Sequence, residues 1–146
     1  MICVNRRARF NYFIDETYEA GLVLVGSEVK SLRDGKANLT DSYAQIRKGE
    51  AFLVNAHISP YPGANQFNHE PKRTRKLLLH GREIERLTGK TQERGFTLVA
   101  LRLYFKNGRA KVEIGLGRGK KLYDKRETLK RKMAEREVER SIKGPR

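Results

Sequence analysis

Three histidines, one cysteine and scattered carboxylates are the groups of this chain that could bind a metal or move a proton. Their spacing argues against either role. His57, His69 and His80 lie on separate predicted elements, without the helical histidine pair and glutamate of hydrolytic zinc sites, and Glu70, Asp124 and Cys3 complete no ligand set or acid/base pair. The run Gly115-Leu116-Gly117-Arg118-Gly119-Lys120-Lys121 has the glycines of a phosphate loop, but their spacing is wrong and no Ser or Thr follows Lys121. A flexible basic hinge that lets backbone approach RNA is the alternative reading of that run. No catalytic residue, metal or cofactor is expected.

Contact with phosphates is the chemistry the residues favour. Lys72, Arg73, Arg75 and Lys76 follow Pro71, and no acidic residue occurs from Pro71 through Arg82. Concentrated Lys and Arg of this kind are the footprint of a polyanion. Tyr61, Phe67 and Tyr123 are the candidate rings for stacking on unpaired bases while cations hold phosphates, and Tyr123 sits between Lys121 and Lys125. Phe10, Tyr12, Phe13, Phe52, Phe96, Tyr104 and Phe105 fall in alternating segments and read as core. Glu19, Glu28 and Asp41 read as salt-bridge partners or helix-end charges, with a role in accepting from a base or orienting an arginine left open.

The whole-chain balance agrees. Among 146 residues, 32 are Lys or Arg and 17 are Asp or Glu, a formal net charge of +15. A nucleic-acid partner is the first expectation from such an excess. Hydrophobic residues make up 38%, enough for a small core. A single cysteine excludes a disulfide scaffold, and no apolar run is long enough for a membrane span or an export leader, so a soluble cytoplasmic protein with no membrane partner is expected. Residues 117–146 hold twelve basic and five acidic residues, almost half of the net charge, and few apolar groups. The predicted organisation is a domain over 1–116 and a basic tail over 117–146, with the boundary at Gly115 to Gly119.

Strands dominate the elements that must position these groups. Phe96–Phe105 and Ala110–Leu116 alternate and are joined by Asn107-Gly108, a tight hairpin signal. Ser42–Lys48 and Ala51–Ile58 form a second hairpin turning at Gly49-Glu50, and Phe10–Val25 is a long strand bent at Gly21. Helices are predicted over Ser27–Gly35 and Leu77–Thr88. Many short antiparallel strands with two or three short helices suggest a mainly β fold, a small OB-type barrel that hides its strand edges. In the tail, Leu129, Met133, Val138 and Ile142 form a thin helical stripe, too little apolar surface for order in isolation.

Asn5-Arg6-Arg7-Ala8-Arg9, Glu19-Ala20-Gly21-Leu22-Val23-Leu24, Glu28-Val29-Lys30-Ser31-Leu32-Arg33 and Asp41-Ser42-Tyr43-Ala44 also stand in a recognisable order. So do His57-Ile58-Ser59-Pro60-Tyr61, Arg73 to Leu79, Leu103-Tyr104-Phe105-Lys106 and Gly119 to Arg126. Over nearly its whole length the sequence resembles the SsrA-binding protein family, also called small protein B, the bacterial partners of transfer-messenger RNA. The resemblance implies an OB-type barrel that grips the tRNA-like domain of that RNA at its elbow and delivers it to stalled 70S ribosomes for trans-translation. It implies a tail disordered when free and helical in the empty mRNA channel, and elongation factor Tu and alanyl-tRNA synthetase as partners reached through the RNA. By the same resemblance Asn5, Glu19, Leu78 and Lys111 match RNA-binding determinants, to which charge adds Arg9, Arg73, Arg75 and Lys76. Gly119, Lys120, Lys121, Tyr123, Asp124, Lys125 and Arg126 match the start of the tail, where decoding-centre contacts are implied. Some members carry His where Tyr123 stands, so stacking carries over and an imidazole mechanism does not.

Two other classes share parts of this pattern. A structural ribosomal protein with an OB barrel would share charge, size and tail, whereas an RNA-processing enzyme would need the metal or acid/base pair that the residues do not assemble.

Overall fold

Asn107 and Gly108 both take positive φ, 53° and 76°, and turn the chain tightly between two eleven-residue strands. This is the hairpin read from the sequence, and it is the centre of the computed structural model, which describes residues 1–64, 68–93, 95–120, 126, 129–134 and 136. The elements through residue 120 are β1 (Cys3–Val4), α1 (Arg6–Asn11), β2 (Tyr12–Leu22), α2 (Gly26–Arg33), β3 (Ala37–Asn38), β4 (Tyr43–Arg47) and β5 (Glu50–Val54). They continue as β6 (His57–Ile58), β7 (Arg75–Leu78), α3 (Gly81–Gln92), β8 (Phe96–Lys106) and β9 (Arg109–Gly119).

Seven strands run β1-β8-β4-β5-β7-β2-β9, and β8 also pairs with β9, so six of them close into a ring. All pairings are antiparallel; β3 and β6 form a separate two-stranded sheet. Inward residues of every ring strand, among them Leu53, Leu77, Leu98, Leu103 and Ile114, meet Leu32 from α2 and Leu87 from α3 in one buried cluster. Each fully buried Leu or Ile contributes about 1.5–3 kcal/mol by leaving water. Among the described residues, no helix is long and apolar enough to cross a membrane.

Three elements differ from the sequence reading. Helix α1 was not predicted, because Arg6-Arg7-Ala8-Arg9 offers a single buried side chain, Ala8, and the helix has no side-chain cap. Ala8 packs with Val99 and Leu101 on the outside of the ring, which is why Leu98 to Leu101 are all buried rather than alternating. The second predicted helix begins late: residues 75–78 are β7, with Arg75 and Leu77 inward and Lys76 and Leu78 outward, and α3 starts only at Gly81. There Glu83 accepts the free His80 backbone N–H at 3.0 Å, fixing the start. Finally, β9 runs through Gly119, past the boundary placed between 116 and 117.

That last difference reassigns the glycine run. Gly115 pairs with Thr17 and Val99, and a Cβ there would stand 2.9 Å from Leu101 Cδ1 and 3.1 Å from Ile14 Cγ2; at Gly117 it would stand 3.1 Å from Tyr12 Cβ. These glycines make room for side chains packed on the sheet and are not a hinge. Register slips at Asp15 in β2 and Leu101 in β8, not a bend at Gly21, are the irregularities of the long strands.

Candidate nucleic-acid interface

Gly21 of β2 is paired on one side with Leu78 of β7 and on the other with Lys111 of β9. A Cβ at Gly21 would lie 3.3 Å from Leu78 Cβ and 3.7 Å from Lys111 Nζ, so the missing side chain lets an aliphatic group and an ammonium share one spot. Leu78 is 55% exposed there and is not part of the core. Glu19, two residues earlier on the same face, accepts the Tyr104 hydroxyl at 2.6 Å and Lys106 Nζ at 3.4 Å. The Tyr104 hydrogen bond, then Lys106 and Lys111, hold the Glu19 carboxyl below its ordinary range, so it is ionised at neutral pH. Burial and the bond to Glu19 push the Tyr104 hydroxyl up to about 12, so it keeps its proton and donates.

The same face continues along β8 and β9. Tyr104 lies opposite Lys111, and Arg102 opposite Glu113. The Arg102 guanidinium sits 4.9 Å from the Tyr104 ring centroid and donates to Glu113 at 2.9 Å, while Arg9 of α1 reaches Glu113 at 3.8 Å. Arg9, Glu19, Leu78 and Lys111 therefore share one outward surface. Arg102, Tyr104, Lys106 and Arg109 join them, and sequence reading missed these four. Their signal was present: Arg102, Tyr104 and Lys106 occupy every second position of a strand, and Tyr104 had been assigned to the core.

The phosphate contact predicted for the basic cluster after Pro71 is corrected at Arg75. Arg75 is 0% exposed; its Nε donates to Glu28, and its other nitrogens donate to the carbonyls of Ala56 (2.7 Å), Pro71 (3.0 Å) and Glu70 (3.4 Å). No phosphate can reach it. Glu28 is equally buried and also accepts Arg73 at 2.6 Å and the Val25 backbone N–H at 2.9 Å. Burial pushes the Glu28 carboxyl up, but the bonds from Arg73, Val25 and Arg75 outweigh it and hold the group below its ordinary value. Arg73 keeps a half-buried guanidinium, and of the cluster Lys76, 3.3 Å from Glu50, shares the outward side of β7 with Leu78. The acid-free run drew its counter-charge from Glu28, 45 residues earlier than Arg73, which local charge counting cannot see.

Asn5 is also turned inward. Its Nδ2 donates to the carbonyls of Leu39 at 3.1 Å and Ala100 at 3.0 Å, so it anchors the start of α1 to β8 and is not surface available to RNA. His69 accepts from the Ser27 hydroxyl through Nδ1 and donates to the Ile58 carbonyl through Nε2, both at 2.8 Å. It fastens a loop. Among the described residues, no group of His, Cys, Asp and Glu is placed to hold a metal ion.

Gly119 pairs with Tyr12 at the far end of β9. Lys120 follows, its backbone N–H bonded to the Asn11 carbonyl at 2.8 Å, its Nζ to the Arg9 carbonyl at 3.0 Å and 5.0 Å from the Phe13 ring centroid. Phe13 is 41% exposed and flanked also by Arg118, so this ring is surface rather than core. Lys121, Tyr123, Asp124 and Lys125, and the ring of Phe67, lie outside the described residues. Arg126, residues 129–134 and Arg136 are helical, with Leu129 and Met133 exposed. Tyr61 lies under the Lys30 ammonium at 5.4 Å.

Comparison with known proteins covers nearly the whole chain. The family profile described as SmpB protein matches residues 2–144. An SsrA-binding protein of Geobacillus thermodenitrificans (strain NG80-2) is 62% identical over 98% of this chain and 92% of its own length. One from Desulforudis audaxviator (strain MP104C) is 63% identical over 98% and 94%. A chain of the solved structure "tmRNA-SmpB: a journey to the center of the bacterial ribosome" superposes with a TM-score of 0.71 at 50% identity, covering 87% of this chain and 93% of that one.

Proposed function

The chain belongs to the SmpB family, and from that premise we propose that it binds the tRNA-like domain of transfer-messenger RNA and delivers it to stalled ribosomes for trans-translation. The observation that carries the reading is the convergence of Glu19, Leu78 and Lys111 around Gly21. Three residues drawn from separate strands, and matched to RNA-binding determinants by family resemblance alone, lie on one outward patch.

The patch acts by charge and by orientation. Lys106, Lys111, Arg102, Arg109 and Arg9 supply cations for phosphates, and Lys76 extends them along β7. Glu19 holds the Tyr104 hydroxyl and the Lys106 ammonium in place, so the cations meet the RNA already arranged and lose less freedom on binding. The ring of strands is an OB-type barrel in this reading, and the protein works as a cytoplasmic binding protein, not as an enzyme. Elongation factor Tu and alanyl-tRNA synthetase are partners through the RNA.

The second function belongs to the far end. Lys111 and Gly119 are eight residues apart on β9, about 26 Å at strand rise. A barrel over residues 1–120 and a basic tail beyond it therefore present RNA-binding groups at opposite ends. The tail orders on the ribosome in the empty mRNA channel, where Lys121, Tyr123, Asp124, Lys125 and Arg126 meet the decoding centre. Sequencing the RNA that co-purifies with the protein from its own cell tests the whole reading. One dominant transfer-messenger RNA is the expected result; ribosomal RNA alone would favour a structural ribosomal protein.

A further inference from the structure

At the end of the ring remote from Gly21, a cavity of about 420 Å³ opens over the start of β8, between α1 and the turn before β4. That volume falls in the range of pockets that take small molecules. Its lining includes the buried Asn5, Arg7 and Tyr12 from the α1 side, and Asp41 and Tyr43 from the turn. Asn5 uses its amide nitrogen on the Leu39 and Ala100 carbonyls, which fixes its Oδ1, and that oxygen is buried without a donor among the described residues. A buried acceptor left unpaired is rare in native proteins. Asp41 and Arg7 carry opposite charges on the same cavity, yet neither forms an ion pair with the other or with any other described residue. Asp41 also holds a left-handed backbone, φ 65°, a conformation that residues with side chains adopt uncommonly and that collects at ligand sites.

We propose that this cavity binds a guanine nucleotide, with the base edge on Asp41, the phosphate on Arg7 and the ring against Tyr12 and Tyr43. A carboxylate accepts two parallel hydrogen bonds, so it selects a ligand with two adjacent N–H donors. Among the bases only guanine offers them, through N1 and its exocyclic amine. Adenine and cytosine set an acceptor beside their amine, and uracil flanks its single N–H with carbonyls. An arginine side chain carries the same donor pair, but Arg7 on this cavity repels a guanidinium and attracts a phosphate. The donor missing at Asn5 Oδ1 comes only from a molecule inserted into the cavity, as the ribose of a nucleotide is. Free nucleotides and unpaired guanosines of RNA share this chemistry. The site lies apart from the face of Glu19, Leu78 and Lys111 and does not rest on its reading.

The test titrates the ¹⁵N-labelled full chain with GMP and follows the backbone amide resonances of Asp41, Tyr43 and Thr97. Saturable shifts are expected at all three, with AMP, CMP and UMP binding at least about tenfold more weakly. Asp41→Asn keeps the size and tolerates the left-handed backbone, but its amide cannot accept from both N–H groups. It should weaken GMP about tenfold or more and erase the advantage over AMP. Arg7→Ala, at an exposed position of α1, should lower the affinity for GMP to that for guanosine and leave the preference among bases intact. It leaves the turn untouched and keeps the test decisive should Asp41→Asn not fold. A trinucleotide with a central guanosine separates the sources. Tighter binding than GMP assigns the site to RNA, equal or weaker binding assigns it to a free nucleotide, and both uphold guanine recognition. The proposal is overturned if the four nucleotides bind alike, as general attraction to a chain of net charge +15 makes them, or if GMP moves none of these resonances. Shifts with argininamide and none with GMP would likewise overturn it, giving the cavity to a basic side chain.

Discussion

Glu19 is a carboxylate on a face built for phosphates, and simple electrostatics says that removing it should tighten RNA binding. The geometry predicts the reverse. Glu19→Ala releases the Tyr104 hydroxyl and the Lys106 ammonium, and losing a charged hydrogen-bonded partner should weaken affinity about tenfold to a hundredfold with the melting temperature unchanged. Titration of the tRNA-like RNA alongside a thermal melt checks this, and tighter binding would reduce Glu19 to a surface charge. Glu28 behaves differently because it is sealed inside. Glu28→Ala leaves Arg75 buried without its anion and should cost about 3–5 kcal/mol of stability in denaturant titrations. The folded Glu28 carboxyl lies below its ordinary value of 4.5, so its stabilisation is complete above that pH and drains away as pH falls through the folded value. Unfolding followed from pH 7 down to pH 3 should therefore lose stability more steeply below pH 4.5 in the wild type than in Glu28→Gln.

The strands legible in the sequence were those whose alternation met no second constraint. The β8–β9 hairpin appears where period-two patterning and turn residues placed it, and the β4–β5 pair appears with its turn at Lys48-Gly49 instead of Gly49-Glu50 and with β5 ending at Val54. Legibility failed where packing came from outside the local window. Leu77 fell on one helical stripe with Ile84 and Leu87, although β7 needs Leu77 inward and the interface needs Leu78 outward. The glycines of β9 looked like a hinge because Leu101, Ile14 and Tyr12, which require them, are distant in the chain. Of the interface, Glu19, Leu78 and Lys111 were visible only through family resemblance, since no periodicity links three strands. Two outcomes follow at this scale. Gly115→Ala should cost about 1–3 kcal/mol by overpacking against Leu101, read as a lowered melting temperature. Truncation after Leu116 removes the pairing of residues 117–119 with β2 and should destabilise the ring, whereas truncation after Lys120 should leave it folded and able to bind RNA but unable to support peptide tagging in a reconstituted rescue assay. Equal stability of the two truncations would show that the strand's last residues are dispensable.

Across the whole molecule, a formal charge of +15 makes association sensitive to ionic strength. If the outward face neutralises about five phosphates, the log of the binding constant should fall with the log of salt at a slope of about −3.5 to −4.5. Titrations at several salt concentrations measure it, and a flat line would remove phosphate contact from the account. The closure of the ring has a consequence during synthesis. β2 is among the first strands made, and its long partner β9 is the last, so Tyr12 waits for Gly119. At about 5–20 residues per second, the ribosome needs roughly 5–20 s to supply the intervening residues, and throughout that time β2 is an unsatisfied edge. Native structure in this protein is therefore a late event of translation, and a nascent chain halted before β9 emerges carries an open strand for chaperones or proteases to find.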